Sequence, residues 1–308
     1  MKLEYLLEIL EEDLEEILIT GSTGFIGSHL IQGMKKNFQI TGISKNETNS
    51  TDYKFHSIDI TNPKFSFDNK FSKIIHTAAL SDVGYCNSHP SECYETNVFA
   101  TQKMLEFTRK NDSEFVFLSS SHVYGVPKQL PISESDICDP LNHYATSKKM
   151  SEILCKEYSK IYGLDIKIAR IFSGYGPGSH ASNLINKIFN QIIHDSKIVL
   201  GNLYPKRDFI FISDIVNGLI KIITSEKKRF EIYNIGTGKS TSIEDIAKIC
   251  LKISKKDHRL VSSKEFNREN EIPEIFADIS KMNSEFGWEP QVSLERGLET
   301  TYNYYKES

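Results

Sequence analysis

Tyr144 and Lys148 are the pair of residues whose types and spacing point most directly to chemistry. They lie four residues apart in the run YATSK, and on a helix this spacing puts two side chains on one face. A phenol with a pKa of about 10 is a poor acid or base at neutral pH, but a nearby cation stabilises the phenolate. Such pairs also arise by chance, so the elements around this one must support a catalytic role.

A run of hydroxyl residues precedes this pair. Ser119 ends a stretch rich in Phe and Val, Glu114–Ser119, which we predict to be a strand, and Ser120 and Ser121 follow it. Tyr144 opens a predicted helix that leads to a further strand at Asp165–Ile171. Ligands of open α/β sheets bind at the carboxyl ends of the strands, where this hydroxyl cluster would lie.

A glycine-rich loop, GSTGFIG, lies between a β-branched run at Ile17–Thr20 and a helical pattern at Phe25–Lys36. Glycines at these places permit a tight turn, a close approach to a pyrophosphate and close helix–strand packing. The helix N-terminus adds free N–H groups and a favourable dipole. We therefore predict a dinucleotide-binding loop formed by Gly21, Thr23, Gly24, Phe25, Ile26 and Gly27.

The residues after the second predicted strand indicate which dinucleotide binds. An acidic residue there would accept a hydrogen bond from the ribose 2′-hydroxyl of NAD. The sequence has Ser44 and Lys45 instead, and the lysine charge suits a 2′-phosphate. We therefore favour NADP, with NAD as the alternative if Lys45 is only a surface residue.

Strand-like and helix-like segments alternate from residue 17 onward, which is typical of βαβ units and a parallel sheet. The further predicted strands are Phe38–Ser44 and Lys73–Ala78, and the helices lie near Glu92–Lys110 and Tyr144–Tyr162. The predicted fold class is α/β: a Rossmann-type doubly wound parallel sheet with a smaller C-terminal α/β substrate lobe.

The predicted domains follow from this pattern. Residues 1–16 carry seven acidic residues and an apolar stripe at helical spacing, so we expect an acidic N-terminal helix. Residues 17–172 form the dinucleotide-binding domain, to which 208–240 return, with strands expected at Asp208–Ile212 and Ile232–Ile235. Residues 173–207 and 241–308 form the substrate-binding lobe.

Composition narrows the class of protein. The 308 residues carry 37 Lys+Arg and 41 Asp+Glu, a net charge of -4, which gives no basic excess for binding nucleic acid. No apolar run has the length of a membrane helix, and the N-terminus lacks the pattern of a secretory signal. The five cysteines are scattered without a zinc-site spacing, so we expect no metal and a cytoplasmic protein.

Taken together, the motifs resemble the extended short-chain dehydrogenase/reductase family of nucleotide-sugar epimerases, dehydratases and 4-keto reductases. The resemblance spans residues 17 to about 305 and has many ordered matches. These are GSTGFIG, HTAA at His76–Ala79, TNV at Thr96–Val98, YATSK, RIFSGYGPG at Arg170–Gly178, RDF at Arg207–Phe209 and YNIG at Tyr233–Gly236.

The resemblance implies a role for each matched residue. Tyr144 would be the acid–base group, Lys148 the cation that lowers its pKa and holds the nicotinamide ribose, and Ser120 the hydroxyl that polarises the sugar oxygen. Arg207 and Arg268 would bind the diphosphate of a nucleotide-diphosphate sugar, as guanidinium geometry favours. Further cofactor contacts are implied at Asp59, Ile60, Ala78, Ala79 and Asn97. The family also implies a homodimer.

Three positions depart from the family pattern. Dehydratases of the family carry Asp-Glu after the catalytic hydroxyl, where this chain has Ser121 and His122. Elimination needs a positioned acid and base, so a 4,6-dehydratase is disfavoured. Ser173 replaces the asparagine of the RxxNxYGPG motif. We still assign Ser121, His122 and Ser173 to the substrate-binding side.

The sequence thus favours an NADP-dependent 4-keto-6-deoxy-sugar nucleotide reductase. Ser44, the missing dehydratase pair and the run RENEIP at Arg268–Pro273 support it, since that run resembles a stretch of GDP-4-keto-6-deoxymannose reductases. The alternative is a nucleotide-sugar 4-epimerase, which uses the same Tyr–Lys pair and retains its NAD. A catalytically inactive NADP-binding protein is disfavoured because Ser120, Tyr144 and Lys148 are all present.

Overall fold

The structure is a computed structural model and describes residues 14–48, 51–62, 69–226, 229–266 and 271–307. Most of the predicted acidic N-terminal helix, and also Arg268, lie outside the described residues. Within the predicted helix range, Glu16 already begins the first strand.

The described chain alternates strands and helices. The strands are β1 Glu16–Thr20, β2 Gln39–Ser44, β3 Lys54–Ser57, β4 Lys73–His76, β5 Glu114–Ser120, β6 Ile166–Ile171, β7 Ser173–Tyr175, β8 Lys197–Leu200, β9 Lys206–Arg207, β10 Phe209–Phe211, β11 Phe230–Ile235, β12 Thr241–Ser242, β13 Arg259–Ser262 and β14 Glu274–Ile275. The α-helices are α1 Phe25–Met34, α2 Val83–Ser88, α3 Pro90–Tyr94, α4 Ala100–Asn111, α5 His143–Tyr162, α6 Leu184–His194, α7 Ile212–Ile223, α8 Ile243–Ser254, α9 Ser280–Phe286 and α10 Leu294–Glu307. A π-helix at Glu95–Phe99 joins α3 to α4, and 3₁₀ turns occupy Ser121–Tyr124 and Lys264–Phe266.

Seven strands form the main sheet in the order β11-β6-β5-β4-β1-β2-β3. The neighbours β1–β2, β2–β3, β1–β4 and β4–β5 pair in parallel. The chain builds outward from β1 to β3, then crosses to β4 and builds outward on the other side. This reversal beside β1 is the switch point at which doubly wound sheets bind ligands. The predicted fold class is confirmed.

Burial explains why these segments are strands. Ile17, Leu18 and Ile19 of β1 are fully buried, and every residue of β6 is buried. Strands covered on both faces need continuous apolar runs, and β-branched residues fit them best. The glycine loop therefore extends from a strand anchored in the core of the sheet.

The chain divides into two compact units. Unit 1 comprises the described residues up to Ser119, Asn142–Ala169 and Leu219–Ile232. Unit 2 comprises Ser120–Leu141, Arg170–Gly218 and the described residues from Tyr233 onward. Residues 120–141 thus belong to unit 2, although the sequence pattern groups them with the dinucleotide-binding domain. The assignment of cofactor and substrate to separate domains stays a prediction.

Unit 2 contains three small sheets, ordered β10-β7, β12-β9-β14 and β13-β8. The prediction that Asp208–Ile212 returns to the main sheet is wrong, because β10 pairs with β7 instead. The prediction for Ile232–Ile235 is confirmed, since β11 forms the edge of the main sheet beside β6.

Two further observations on the described residues concern membrane crossing and metal binding. No described helix combines the length and apolarity that a bilayer crossing requires. Within the same residues, no group of three His, Cys, Asp or Glu side chains is arranged to hold a metal ion. All five cysteines are free thiols.

Candidate active site

The glycine loop has the geometry of a phosphate cradle. Gly21 has φ +67°, and a Cβ there would lie 2.8 Å from the backbone of Ala78. A Cβ on Gly27 would lie 2.3 Å from the carbonyl oxygen of Gly21. These contacts explain why both positions must be glycine for β1 and α1 to approach so closely.

The start of α1 is open to an anion. Gly24 is the N-cap in extended conformation and supplies no side-chain hydrogen bond, and the first turn carries no acidic residue. The Ser22 hydroxyl is buried without a hydrogen-bond partner among the described residues. Uncapped N–H groups, a helix dipole and an unsatisfied buried hydroxyl are what a dinucleotide pyrophosphate would satisfy. The residues of this loop therefore fit such a cofactor.

The end of β2 lies against this loop, where Thr23 Oγ1 and Ser44 Oγ are 2.7 Å apart. The next residue, Lys45, pairs with the Asp59 carboxylate at 3.5 Å while its side chain stays 76% exposed. Hydrogen bonding from Thr61 and the charge of Lys45 lower the pKa of Asp59. Lys45, the cation expected to bind a 2′-phosphate, thus lies beside the ionised carboxylate of Asp59. This arrangement weakens the inference that NADP binds.

Tyr144 lies in the first turn of α5, which Asn142 caps by accepting a hydrogen bond from the Ala145 N–H at 2.9 Å. Its ring is largely buried and packs with Cys86 and Cys93. The backbone carbonyl of Tyr144 accepts a hydrogen bond from Ser147 Oγ at 2.7 Å. The cap and this bond fix the backbone of the first turn, from which the Tyr144 ring extends.

Lys148 lies one turn further along α5 and is buried. Its Nζ donates to the carbonyl of Leu118 at 2.8 Å and lies 4.8 Å from the ring centroid of Phe117. Burial lowers the pKa of Lys148 to about 8, although neighbouring negative groups oppose this effect. The ammonium is therefore held in one place against β5, as the predicted role of Lys148 requires.

Asn97 lies in the π-helix, and its buried side chain hydrogen-bonds the backbone of Leu80 and the Ser147 side chain on α5. Its Nδ2 donates to the Leu80 carbonyl and to Ser147 Oγ, each at 2.9 Å, and its Oδ1 accepts from the Leu80 N–H at 2.8 Å. π-helical turns often occur at functional sites, where they redirect a side chain. The sequence missed Ser147 as the link between Asn97 and Tyr144. A direct cofactor contact of Asn97 stays a prediction.

The remaining predicted cofactor residues also lie in unit 1. Thr20 Oγ1, at the end of β1, accepts a hydrogen bond from the Ala78 N–H at 3.2 Å, which joins β1 to the segment after β4. Ala79 is partly exposed, whereas Ile60 is buried. These residues follow the carboxyl ends of strands β1, β3 and β4.

The hydroxyl cluster begins unit 2. Ser120 ends β5, and its Oγ caps the following 3₁₀ turn by accepting from the His122 N–H at 3.2 Å. Ser120 and Ser121 are buried, and His122 is partly exposed. The buried hydroxyl of Ser120 has a fixed orientation, which suits the predicted polarising role.

Arg207 on β9 is held by its neighbours in unit 2. Its guanidinium donates to the Ile272 carbonyl at 2.7 Å and forms an ion pair with Glu271. The guanidinium also donates to the carbonyl of Lys206 at 2.9 Å, and its contact with a diphosphate stays a prediction. The predicted partner Arg268 lies outside the described residues, so the paired clamp stays a prediction.

Asp208, next to Arg207, organises this part of unit 2. Its buried carboxylate accepts from the N–H groups of Thr237, Gly238 and Ala277, at 2.7, 3.0 and 3.1 Å. Burial raises the pKa of Asp208, although these hydrogen bonds oppose the change. Its backbone carbonyl accepts from the Ser173 N–H at 2.9 Å, so the Ser173 position is tied to the same cluster.

The parallel sheet with its glycine cradle, together with the buried Tyr144–Lys148 pair on α5, defines a dinucleotide-dependent enzyme of the Rossmann type. The sequence model of the family described as GDP-mannose 4,6 dehydratase matches residues 18–301. The chain belongs to this family and, with it, to the extended short-chain dehydrogenases/reductases. Proteins to which the chain is similar include enzymes that act on nucleotide sugars, and some of their solved structures contain NAD.

Individual relatives narrow the comparison. The chain is 31% identical over 315 residues to a UDP-glucuronate 4-epimerase of Thermodesulfobacterium geofontis, covering 94% of this chain and 96% of the relative. It resembles the crystal structure of UDP-glucuronic acid 4-epimerase from Bacillus cereus in complex with UDP-glucuronic acid and NAD. That match has a TM-score of 0.88 and 30% identity, with 95% and 99% of the two chains covered.

A second similar structure is that of another 4-epimerase. The chain is 25% identical to UDP-N-acetylglucosamine 4-epimerase from Methanobrevibacter ruminantium, with a TM-score of 0.86 and coverage of 95% and 98%. The relatives named here are 4-epimerases of UDP-sugars, which favours the epimerase alternative over the reductase.

Proposed function

We propose that this protein is an NAD-dependent 4-epimerase of UDP-sugars, with UDP-glucuronic acid as the first substrate to test. The observation that carries the proposal is the buried Tyr144–Lys148 pair on α5, in a chain similar along nearly its whole length to UDP-glucuronate 4-epimerases. Epimerisation by oxidation and reduction needs one group that takes and returns a proton at the C4 oxygen.

Tyr144 serves as that group. Its phenolate removes the proton of the C4 hydroxyl as the ketone forms, and the phenol returns a proton when the opposite face is reduced. Lys148 supplies the positive charge that favours phenolate, because its ammonium is fixed against the carbonyl of Leu118. Ser120 hydrogen-bonds the C4 oxygen and orients it for proton transfer.

A bound NAD would supply the hydride chemistry, as acceptor and then donor of the hydrogen at C4. Gly21, Thr23, Gly24 and the first turn of α1 hold its pyrophosphate. The Lys45–Asp59 pair favours NAD over NADP, because the Asp59 carboxylate would repel a 2′-phosphate. Asp59 remains the proposed adenine-side contact.

The nucleotide sugar is assigned to unit 2. Arg207 binds its diphosphate, with Arg268 as the second guanidinium, and Ser121, His122 and Ser173 contact the sugar. The absence of the Asp-Glu pair after Ser120 supports epimerisation over elimination, since dehydration needs a positioned acid and base. The 4-keto reductase interpretation depended on NADP, and its support falls with that of NADP.

The test is conversion without an external redox partner. Purified enzyme is incubated separately with UDP-glucuronic acid, UDP-glucose, UDP-N-acetylglucosamine and a GDP-4-keto-6-deoxy sugar, each with and without NADPH. We expect interconversion of C4 epimers of a UDP-sugar with no net change in absorbance at 340 nm. Steady consumption of NADPH with the 4-keto sugar, and no epimerisation, would restore the reductase interpretation.

We also propose that the enzyme is a homodimer. Three apolar side chains are exposed on the π-helix and α5: Phe99 at 57%, Met150 at 42% and Ile153 at 53%. Exposed apolar residues on two helices that pack together are typical of an interface, and a second copy of this chain is the proposed occupant. Sedimentation of the wild type and Ile153→Glu tests this, and a wild-type monomer would refute it.

A further inference from the structure

A buried carboxylate follows Lys148 by one helical turn. Glu152 on α5 is 2% exposed, and four residues separate it from Lys148, so both occupy the same face. Its Oε1 accepts from Ser119 Oγ at 2.7 Å, and its Oε2 lies 3.2 Å from Lys149 Nζ. A buried carboxylate is costly unless it is paired and hydrogen-bonded, and Glu152 is both.

Several titratable groups surround the Lys148 ammonium. They are Glu152 and Cys155 on α5, Cys93 on α3, Cys86 on α2 and His76 on β4. Burial lowers the pKa of His76 to about 3, with a smaller effect from Lys148, and burial raises the pKa of Cys86 to about 12. Glu152 is the one carboxylate in this set, and it supports the protonated form of Lys148 against the cost of burial.

The two residues also bind the same end of β5. Lys148 Nζ donates to the carbonyl of Leu118, and Glu152 accepts from the side chain of the next residue, Ser119. Ser119 is followed directly by Ser120, the proposed hydroxyl of the acid–base site. One turn of α5 is thus fixed to two successive residues of the strand end.

We propose that Glu152 is a positioning residue of the acid–base site: it keeps Lys148 charged and fixes α5 to the end of β5. The proposal rests on the proposed function for its catalytic meaning, because Lys148 assists Tyr144 only as a cation. Glu152 itself touches neither the reacting atoms nor, by this account, the cofactor.

The effect of Glu152 on the charge of Lys148 can be tested without any substrate. Thermal unfolding is measured at pH 7 and pH 9.5 for wild type, Glu152→Gln, Lys148→Met and the double variant. At pH 7 we expect Glu152→Gln to lower the midpoint by about 2–4 °C more in the presence of Lys148 than in its absence. At pH 9.5, where Lys148 is largely neutral, the excess should vanish. Equal losses in both backgrounds at pH 7 would overturn the proposal.

The pH profile of turnover separates a positioning role from a merely structural one. For Glu152→Gln we expect the alkaline limb of kcat to move down by about one pH unit, because Lys148 loses its proton earlier. KM and NAD binding should stay near wild type. Glu152→Asp, which keeps the charge, should restore most of the profile. Glu157→Gln, an exposed position on the same helix, is the matched control with a wild-type profile.

The two arms distinguish the possible failures. If unfolding shows coupling between Glu152 and Lys148 but the pH profile of kcat is unshifted in Glu152→Gln, the positioning role is wrong. A wild type that turns over no UDP-sugar would instead refute the proposed function, and the unfolding cycle would still decide whether Glu152 sets the charge of Lys148.

Discussion

Replacing Lys148 by Met is expected to stabilise the cofactor-free protein while abolishing its activity. Lys148 is buried, and burial lowers its pKa from 10.5 to about 8. That difference corresponds to about 3 kcal/mol of unfavourable free energy for holding the charged form inside the folded chain at pH 7. Methionine has a similar length and no charge, so the substitution removes this cost.

Part of the gain is offset by lost contacts. The hydrogen bond to Leu118 is worth about 1 kcal/mol net, so we expect about 2 kcal/mol of net stabilisation at pH 7. The pH dependence follows from linkage. Between about pH 8 and 10.5 the unfolded chain binds a proton at this lysine that the folded chain does not. Wild-type stability from this group therefore rises with pH over that window, and the advantage of Met disappears.

Urea unfolding of the two proteins, followed by far-UV circular dichroism at pH 7 and pH 10, measures this difference. The difference between variant and wild type cancels the titration of all groups that the two proteins share. A variant less stable than wild type at pH 7, or a difference that is the same at both pH values, would refute the assignment of a buried, charged Lys148.

Three other predictions test the site. Tyr144→Phe should lower turnover by about 100- to 10,000-fold with NAD binding unchanged, measured by steady-state kinetics and calorimetry; a loss below about tenfold contradicts the acid–base role. Wild type should bind NAD more tightly than NADP, and Asp59→Asn should raise the NADP/NAD affinity ratio by about two- to fivefold, because Lys45 loses its counter-charge; an unchanged ratio in a cofactor titration speaks against this. Arg207→Ala should weaken UDP-sugar binding by about 2–5 kcal/mol and spare NAD, and the reverse pattern would move Arg207 to the cofactor.

The sequence predicts the main sheet well because its strands are buried on both faces. The β-branched run at Ile17–Thr20 and the isoleucine-rich segment Asp165–Ile171 appear as β1 and β6 within a residue or two of the predicted ends. The glycine spacing likewise predicts the cradle before α1. The short strands of unit 2 are harder, because three residues such as Phe209–Phe211 carry too little pattern to choose between sheets.

The prediction of the site from the sequence is limited in the same way, because local patterns do not show tertiary contacts. The spacing of Tyr144 and Lys148, together with the strand that precedes them, predicts their pairing, and Glu152 has the same spacing from Lys148. Its burial, however, depends on the packing of α5 against β5, which no local pattern reveals. The sequence favours a 2′-phosphate beside Lys45 because it does not show that the chain after β3 brings the Asp59 carboxylate to within 3.5 Å of Lys45 Nζ. A tertiary contact between two charged residues therefore moves the cofactor inference from NADP to NAD, whereas the strands of the main sheet agree with the sequence pattern.

The fate of the hydrogen at C4 distinguishes epimerisation from net reduction. UDP-glucuronic acid deuterated at C4 is converted in ordinary water with enzyme that carries its own NAD, and the product is analysed by mass spectrometry and proton NMR. We expect a C4 epimer that keeps the deuterium at C4, because the hydride leaves and returns within one active site. Loss of the label to solvent, or product formation only when NADPH is consumed, would contradict it.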